Sequence, residues 1–169
     1  LLLGIRPSEE PPVTQEEIKT MVQQGTEAGV FEEHEQDMIS GIFRLGDRRV
    51  STLMTPRPEV YWINMRDTEE ENRAKIKESA YSRLPVCDGD MDHVVGLLTA
   101  RSLLTRLLAG EPFDITAAMD EAQFVPETMP AAKVLELFRE TGQHTAIVIS
   151  EYGGMEGLVT MQDLLTEIV

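Results

Sequence analysis

The sequence predicts an α/β (α+β) fold in which two consecutive repeats form a pseudo-twofold pair behind an N-terminal helical arm. Three observations carry this expectation. Gly96-Leu97-Leu98-Thr99 returns 61 residues later as Gly157-Leu158-Val159-Thr160. Each copy is followed by apolar residues at i, i+3, i+4 and i+7, namely Ala100, Leu103, Leu104 and Leu107 in the first and Met161, Leu164, Leu165 and Ile168 in the second. Strand-like and helix-like patterns alternate between the two copies, as mixed packing requires.

Taken in order, Leu1-Leu2-Leu3-Gly4-Ile5 is apolar. It is far shorter than the roughly 20 residues of a spanning helix, and it lacks the basic start of a signal peptide. Arg6-Pro7-Ser8-Glu9-Glu10-Pro11-Pro12 follows with the composition of a linker, so residues 1–12 read as a linker remnant trimmed from something larger, on a soluble chain. Thr14-Gln15-Glu16-Glu17 has the form of a capping box, and Ile18, Met21 and Val22 recur at helical spacing behind it. Gly25 and Gly29 are expected to interrupt that helix; Met38, Ile39, Ile42 and Phe43 form a second stripe that runs out at Gly46. Residues 13–46 are therefore the acidic helical arm, 47–110 the first repeat and 111–169 the second.

Within the repeats, Val50-Ser51-Thr52-Leu53-Met54 corresponds to Ile115-Thr116-Ala117-Ala118-Met119, each a short segment ending in Met before a strand candidate. Arg83-Leu84-Pro85-Val86 corresponds to Thr145-Ala146-Ile147-Val148, each following a helix whose apolar face is clearest at Ala131, Val134, Leu135 and Phe138. Asp88-Gly89-Asp90 and Glu151-Tyr152-Gly153-Gly154 are the turns between the middle strands. Each repeat thus reads strand, helix, strand, strand, helix. Units of about 60 residues are small for a stable core, so the two sheets are expected to share apolar surface.

Composition narrows function. The chain has 169 residues, 41% of them apolar, and 30 acidic against 15 basic side chains. Such a surface opposes nonspecific binding to nucleic acid or anionic lipid. A single cysteine, Cys87, forms no internal disulfide and fits a reducing compartment. Glu32, Glu33, His34 and Glu35 stand side by side on a helix and point around the cylinder, which makes a solvated face and not a metal site. His93 and His144 lack partners at metal spacing, and neither a Gly-x-Ser-x-Gly nor a phosphate-loop signature occurs. No catalytic residue or metal ligand is assigned; a binding module is expected, not an enzyme.

Gly157-Leu158-Val159-Thr160-Met161-Gln162-Asp163 matches the Gly-h-h-(Thr/Ser)-x-x-Asp signature of tandem cystathionine-β-synthase (CBS) domain pairs, h being apolar. More narrowly, Asp47-Arg48-Arg49-Val50, Met54-Thr55-Pro56-Arg57, Tyr81-Ser82-Arg83-Leu84-Pro85-Val86 and Glu151-Tyr152-Gly153-Gly154 resemble the CorC/HlyC hemolysin-like proteins, relatives of the CNNM magnesium transport mediators. Glu16-Glu17-Ile18 and Gly29-Val30-Phe31-Glu32 resemble the acidic linker that those proteins place before their CBS pair.

Thr160 stands where strand gives way to helix, so its hydroxyl and the free amides of the first helical turn are expected to converge on a phosphate. Asp163 can accept hydrogen bonds from both ribose hydroxyls. An ordinary capping box explains the same two residues, and from the residues alone the two readings stand level. The resemblance implies the adenosine cleft: Thr160 and Asp163 facing Thr55, Tyr81, Ser82, Arg83, Leu84 and Pro85, with Leu84 and Pro85 against adenine and Arg83 reaching a phosphate. Against this, Pro85-Val86 reads equally as the start of a buried strand and Tyr81 as a packing residue at a helix end. In the first repeat Thr99-Ala100-Arg101-Ser102 puts serine where the aspartate would be, so that cleft is expected to be weak or empty, its turn only capping a helix.

The resemblance further implies one adenine nucleotide (AMP, ADP or ATP) per chain, with Mg2+ accompanying ATP. It implies a homodimer through the CBS modules and attachment to the membrane domain of a parent protein, at the cytoplasmic face of a bacterial inner membrane. There the module would regulate magnesium or cobalt transport. The alternative is a structural dimerisation module with vestigial clefts.

Overall fold

The computed structural model describes residues 13–169; the linker expected over 1–12 lies outside them. The arm is two helices, α1 (Gln15–Glu27) and α2 (Glu33–Asp47). The Thr14 box forms as expected, with the Thr14 amide donating to Glu17 Oε2 at 2.9 Å and the Glu17 amide to Thr14 Oγ1 at 3.2 Å. Gly25 does not break α1. It gives the Phe31 ring room to pack on the helix, where a β-carbon would sit 2.7 Å from the ring. Gly29, at φ +78°, makes the turn. The acidic run starts α2: the Glu32 amide donates to Glu35 Oε2 at 2.9 Å, and His34 Nδ1 lies 3.2 Å from Glu32 Oε2.

The first repeat contributes β1 (Thr55–Pro56), β2 (Ile63–Asn64), α3 (Glu69–Glu78), β3 (Arg83–Cys87), β4 (Val94–Thr99) and α4 (Ala100–Leu108). The second contributes α5 (Ile115–Ala118), β5 (Met119–Asp120), β6 (Phe124–Pro126), α6 (Ala131–Thr141), β7 (Thr145–Ile149), β8 (Met155–Thr160) and α7 (Met161–Thr166). Gly89 and Gly153, at φ +91° and +85°, turn the two hairpins.

The two sheets run β2-β3-β4-β5 and β1-β8-β7-β6. Each repeat therefore has one strand more than the sequence suggested, and that strand belongs to the other repeat's sheet. β1 pairs antiparallel with β8, Thr55 opposite Leu158, while β5 pairs with β4, Asp120 opposite Leu97. The hairpins match residue for residue: Arg83 opposite Thr99 and Thr145 opposite Thr160, each with an irregularity near its turn.

The cores follow the exchange. Val125, Val134, Phe138, Ala146, Val148, Val159 and Leu164 form the second repeat's core, together with Val50 from the first repeat and Leu45 from the arm. Ile63, Leu84, Val86, Leu98 and Leu103 form the first repeat's core together with Ala118 from the second. Residues 47–56 thus pack with the second repeat and 115–120 with the first. Cys87, Leu97, Ile147 and Met155, outside both clusters, are also buried, so the sheets carry apolar surface on both faces.

Arg57 ties this seam. Its guanidinium pairs with the Asp92 carboxylate in the first repeat's hairpin and donates to the Met155 carbonyl at 3.0 Å, while the Met155 amide donates to Asp92 Oδ1 at 3.2 Å. The Arg57 hydrogen bond holds the Asp92 carboxyl below its ordinary value. A lowered folded-state pKa stabilises the fold above the unfolded Asp value of about 3.9, and that contribution is lost as pH falls through the lowered value. Arg57→Leu should therefore flatten the loss of stability below about pH 4, read by circular dichroism during acid titration; parallel curves for variant and wild type would contradict this. Solvent screening of these half-exposed groups keeps the effect modest.

Candidate functional site

A cleft of about 660 Å³ lies at the junction of the repeats. One wall is Ala80-Tyr81-Ser82-Arg83, leading into β3. The other is the β8–α7 turn with Leu158, Thr160, Met161, Gln162, Leu165, Thr166 and Val169, and His144 and Thr145 form the floor at the start of β7.

Of the residues expected at the site, Tyr81, Ser82, Arg83 and Thr160 line this cleft. Tyr81 is exposed at the mouth, its ring 6.4 Å from that of Tyr61, whose hydroxyl is anchored on the Lys75 carbonyl at 3.1 Å. Arg83 forms no ion pair among the described residues. Leu84 is not a cleft residue: alternation along β3 turns it into the first repeat's core, 1% exposed. Pro85 is buried as well, and Thr55, half-buried in the ladder opposite Leu158, is not among the residues that line the cleft. The apolar wall expected from Leu84 and Pro85 is instead offered by Leu158, Met161, Leu165 and Val169.

Asp163, expected at the site, is not among the residues that line the cleft; it is half-buried and closes a full capping box. Its Oδ2 accepts from both the amide and the hydroxyl of Thr160 at 2.7 Å, and the Asp163 amide donates to Thr160 Oγ1 at 3.2 Å. One carboxylate oxygen thus takes both bonds and Oδ1 takes neither. The expected fan of free amides is reduced. α7 is six residues long, the Met161 amide donates to the His144 carbonyl at 2.9 Å, and Thr160 takes the Asp163 amide. Arg83 is left as the cation of this cleft.

The symmetry-related turn is built differently. Ala100 donates to the Ser82 carbonyl at 2.9 Å, as Met161 does to His144, yet the Thr99 side chain makes no capping bond. The expectation that this turn caps its helix is corrected: Ser102 is too short to return the reciprocal bond that an Asp or Glu supplies. Two smaller hollows, of about 320 and 280 Å³, flank it, and both include Asp120. Asp120 occupies the register position that Thr55 holds in the other sheet. Glu121 adds a second acid to the smaller hollow, but Arg83 lines that hollow too and Arg101 and Arg106 line the larger one, so this side carries charges of both signs.

Sequence reasoning left His144, Thr145, Leu165, Thr166 and Val169 out of the second-repeat cleft. The repeat alignment held the signal for His144, the equivalent of Ser82. Among the described residues no three His, Cys, Asp or Glu side chains converge as a metal site, and no helix is long and apolar enough to cross a membrane.

Comparison with known proteins follows the same lines. The CBS domain family matches residues 50–109 and 114–169. The UPF0053 protein sll0260 of Synechocystis sp. is 41% identical over 168 residues, 99% of this chain and 38% of that protein. The magnesium and cobalt efflux protein CorC of Escherichia coli K12 is 35% identical over 159 residues, 94% of this chain and 54% of that protein. The chain therefore spans about two-fifths to one-half of these curated relatives. The solved CBS domain of a bacterial CNNM/CorC family Mg2+ transporter superposes with a TM-score of 0.82 at 36% identity, over 93% of this chain and 96% of that one. A structure of such a domain in complex with ATP superposes at 0.71 and 38% identity, over 79% and 96%. With both repeats matched, their lead-in strands exchanged and relatives aligned along nearly its whole length, this chain belongs to the CBS domain family as a tandem CBS pair of the CorC type.

Proposed function

We propose that this chain is a regulatory module that binds one adenine nucleotide, without catalysis, in the second-repeat cleft. The observation that carries the reading is the meeting of Arg83, which forms no ion pair among the described residues, with Thr160 at the β8–α7 turn across a cleft of about 660 Å³, a size suited to a small ligand. The apolar side of α7 offers a surface to the base, Tyr81 a ring at the mouth, Asp163 Oδ1 an acceptor for the ribose, and Arg83 a charge for phosphate. With ATP, Mg2+ would be carried on the phosphates, because the cleft brings no cluster of acids to hold it.

The relatives' names support attachment to a larger membrane protein that moves magnesium or cobalt; the cytoplasmic side is our own placement of the module. Exposed Leu104 and Leu108 supply apolar surface for a homodimer. A structural dimerisation module is the second reading, and the closed capping box favours it: Thr160 and Asp163 satisfy each other without a ligand.

Calorimetric titration with AMP and ATP, with and without Mg2+, separates the two. Saturable heat with any of them supports nucleotide binding. A flat titration with all would leave the dimerisation reading.

A further inference from the structure

α7 has the nucleotide cleft at one end and the arm at the other. At its N-terminus is the Thr160–Asp163 box, and Leu165 and Thr166 face the cleft along its side. At its C-terminal cap stands Glu167, whose side chain is only 14% exposed and is held by Arg44 in the last turn of α2 and by Arg48, the residue that caps α2. Arg44 Nε lies 3.2 Å from Glu167 Oε1 and its Nη2 donates to the Glu167 carbonyl at 3.1 Å; Arg48 Nη1 donates to Oε2 at 2.9 Å.

The backbone is seated as closely as the charges. A β-carbon at Gly41 would lie 2.6 Å from the Ile168 Cα and 2.8 Å from the Glu167 carbonyl oxygen, so α2 packs there with no side chain between. Leu45, one turn on, is 3% exposed in the second repeat's core.

We infer that Arg44 and Arg48 form a latch on Glu167 through which occupancy of the second-repeat cleft sets how tightly the arm is attached to the module. The inference rests on the nucleotide reading above. α7 is a rod of about 9 Å at 1.5 Å per residue, too short to bend between its ends. A ligand that wedges between Arg83 and Leu165, or draws Asp163 from Thr160, moves α7 as a body with Leu164, fully buried, as its pivot. The displaced end carries Glu167. Its two charge-assisted bonds depend on position and angle, so the arm feels the shift. Linkage makes the effect reciprocal: whatever the ligand does to the arm, releasing the arm does to ligand affinity by the same factor.

The test pairs calorimetry of AMP binding with hydrogen exchange of α2 amides, in wild type, Glu167→Gln and Arg48→Gln. In wild type, saturating AMP should change exchange across residues 41–47. In Glu167→Gln those amides should exchange faster without ligand and no longer respond to AMP, and AMP affinity should shift by about fivefold, the low end of ordinary coupling. If Glu167→Gln loses its cooperative melt, Arg48→Gln, which removes one bond and leaves the carboxylate, decides with a smaller shift in the same direction. AMP heat with an arm that does not respond in wild type, or that responds equally in the variants, overturns the latch alone. No heat with AMP removes the nucleotide reading and the latch with it.

Discussion

Asp163→Asn should weaken AMP binding by about ten- to a hundredfold, the worth of a charge-assisted hydrogen bond of about 1.5–3 kcal/mol, while leaving the melting temperature nearly unchanged. The substitution keeps an amide oxygen that can accept from the Thr160 amide, so the helix start survives. It removes the anion. Two ribose hydroxyls donating to one carboxylate are served poorly by a neutral amide, which presents one acceptor and a competing donor. Stability and affinity should therefore separate, by calorimetry on one side and thermal melting on the other. A variant that binds AMP as wild type does would show that Asp163 only caps α7.

Gly157→Ala should be the more damaging change to the fold. A β-carbon there would enter the Thr55 carbonyl oxygen and lie 2.8 Å from the Met54 sulfur. Backbone cannot yield as a flexible side chain can, so the exchanged strand β1 must lift from β8. Overpacking of this kind costs about 1–3 kcal/mol and occasionally more, which for a chain of this size lowers the melting temperature by roughly 3–10 °C. Gly96→Ala is the internal control: its β-carbon would meet the Met119 sulfur at 2.7 Å and the Asp120 carbonyl at 3.0 Å, mostly the end of a mobile side chain. It should cost less. Equal melting temperatures for the two variants would contradict the reading that the backbone of β1 against Gly157 makes it the less tolerant of the two.

That pair of glycines also shows what the sequence could and could not carry. The repeat was legible because Gly96 to Thr99 and Gly157 to Thr160 are contiguous and the helices behind them bury the same positions. The exchange of β1 and β5 was not. Each is two residues long, too short for any period, and its destination is set by contacts distant in sequence, Thr55 with Leu158 and Asp120 with Leu97. α3 was faint for another reason: Asn72 is its one buried residue, so it shows almost no apolar face, whereas α6 buries Ala131, Val134 and Phe138.

At the site, the turn and the Tyr81–Arg83 wall were readable from motif order. Leu84 was misplaced because a strand's alternation sends it to the face opposite Arg83, and Pro85, on the Arg83 face, because it is buried further along β3; the family motif names a segment without naming a face or a depth. The acid that sets the first-repeat side apart was half visible. Ser102 announced the missing carboxylate, but Asp120 could be placed in these hollows, among Arg83, Arg101 and Arg106, only once its register beside Leu97 was known.

The central claim is one nucleotide per chain, held between Tyr81–Arg83 and the Thr160–Asp163 turn. Amide chemical-shift mapping during an AMP titration tests it most directly. Shifts concentrated at Tyr81 to Arg83 and Thr160 to Thr166, saturating at one equivalent, are the predicted result; shifts centred on Thr99 to Ser102, or none at either turn, would contradict it.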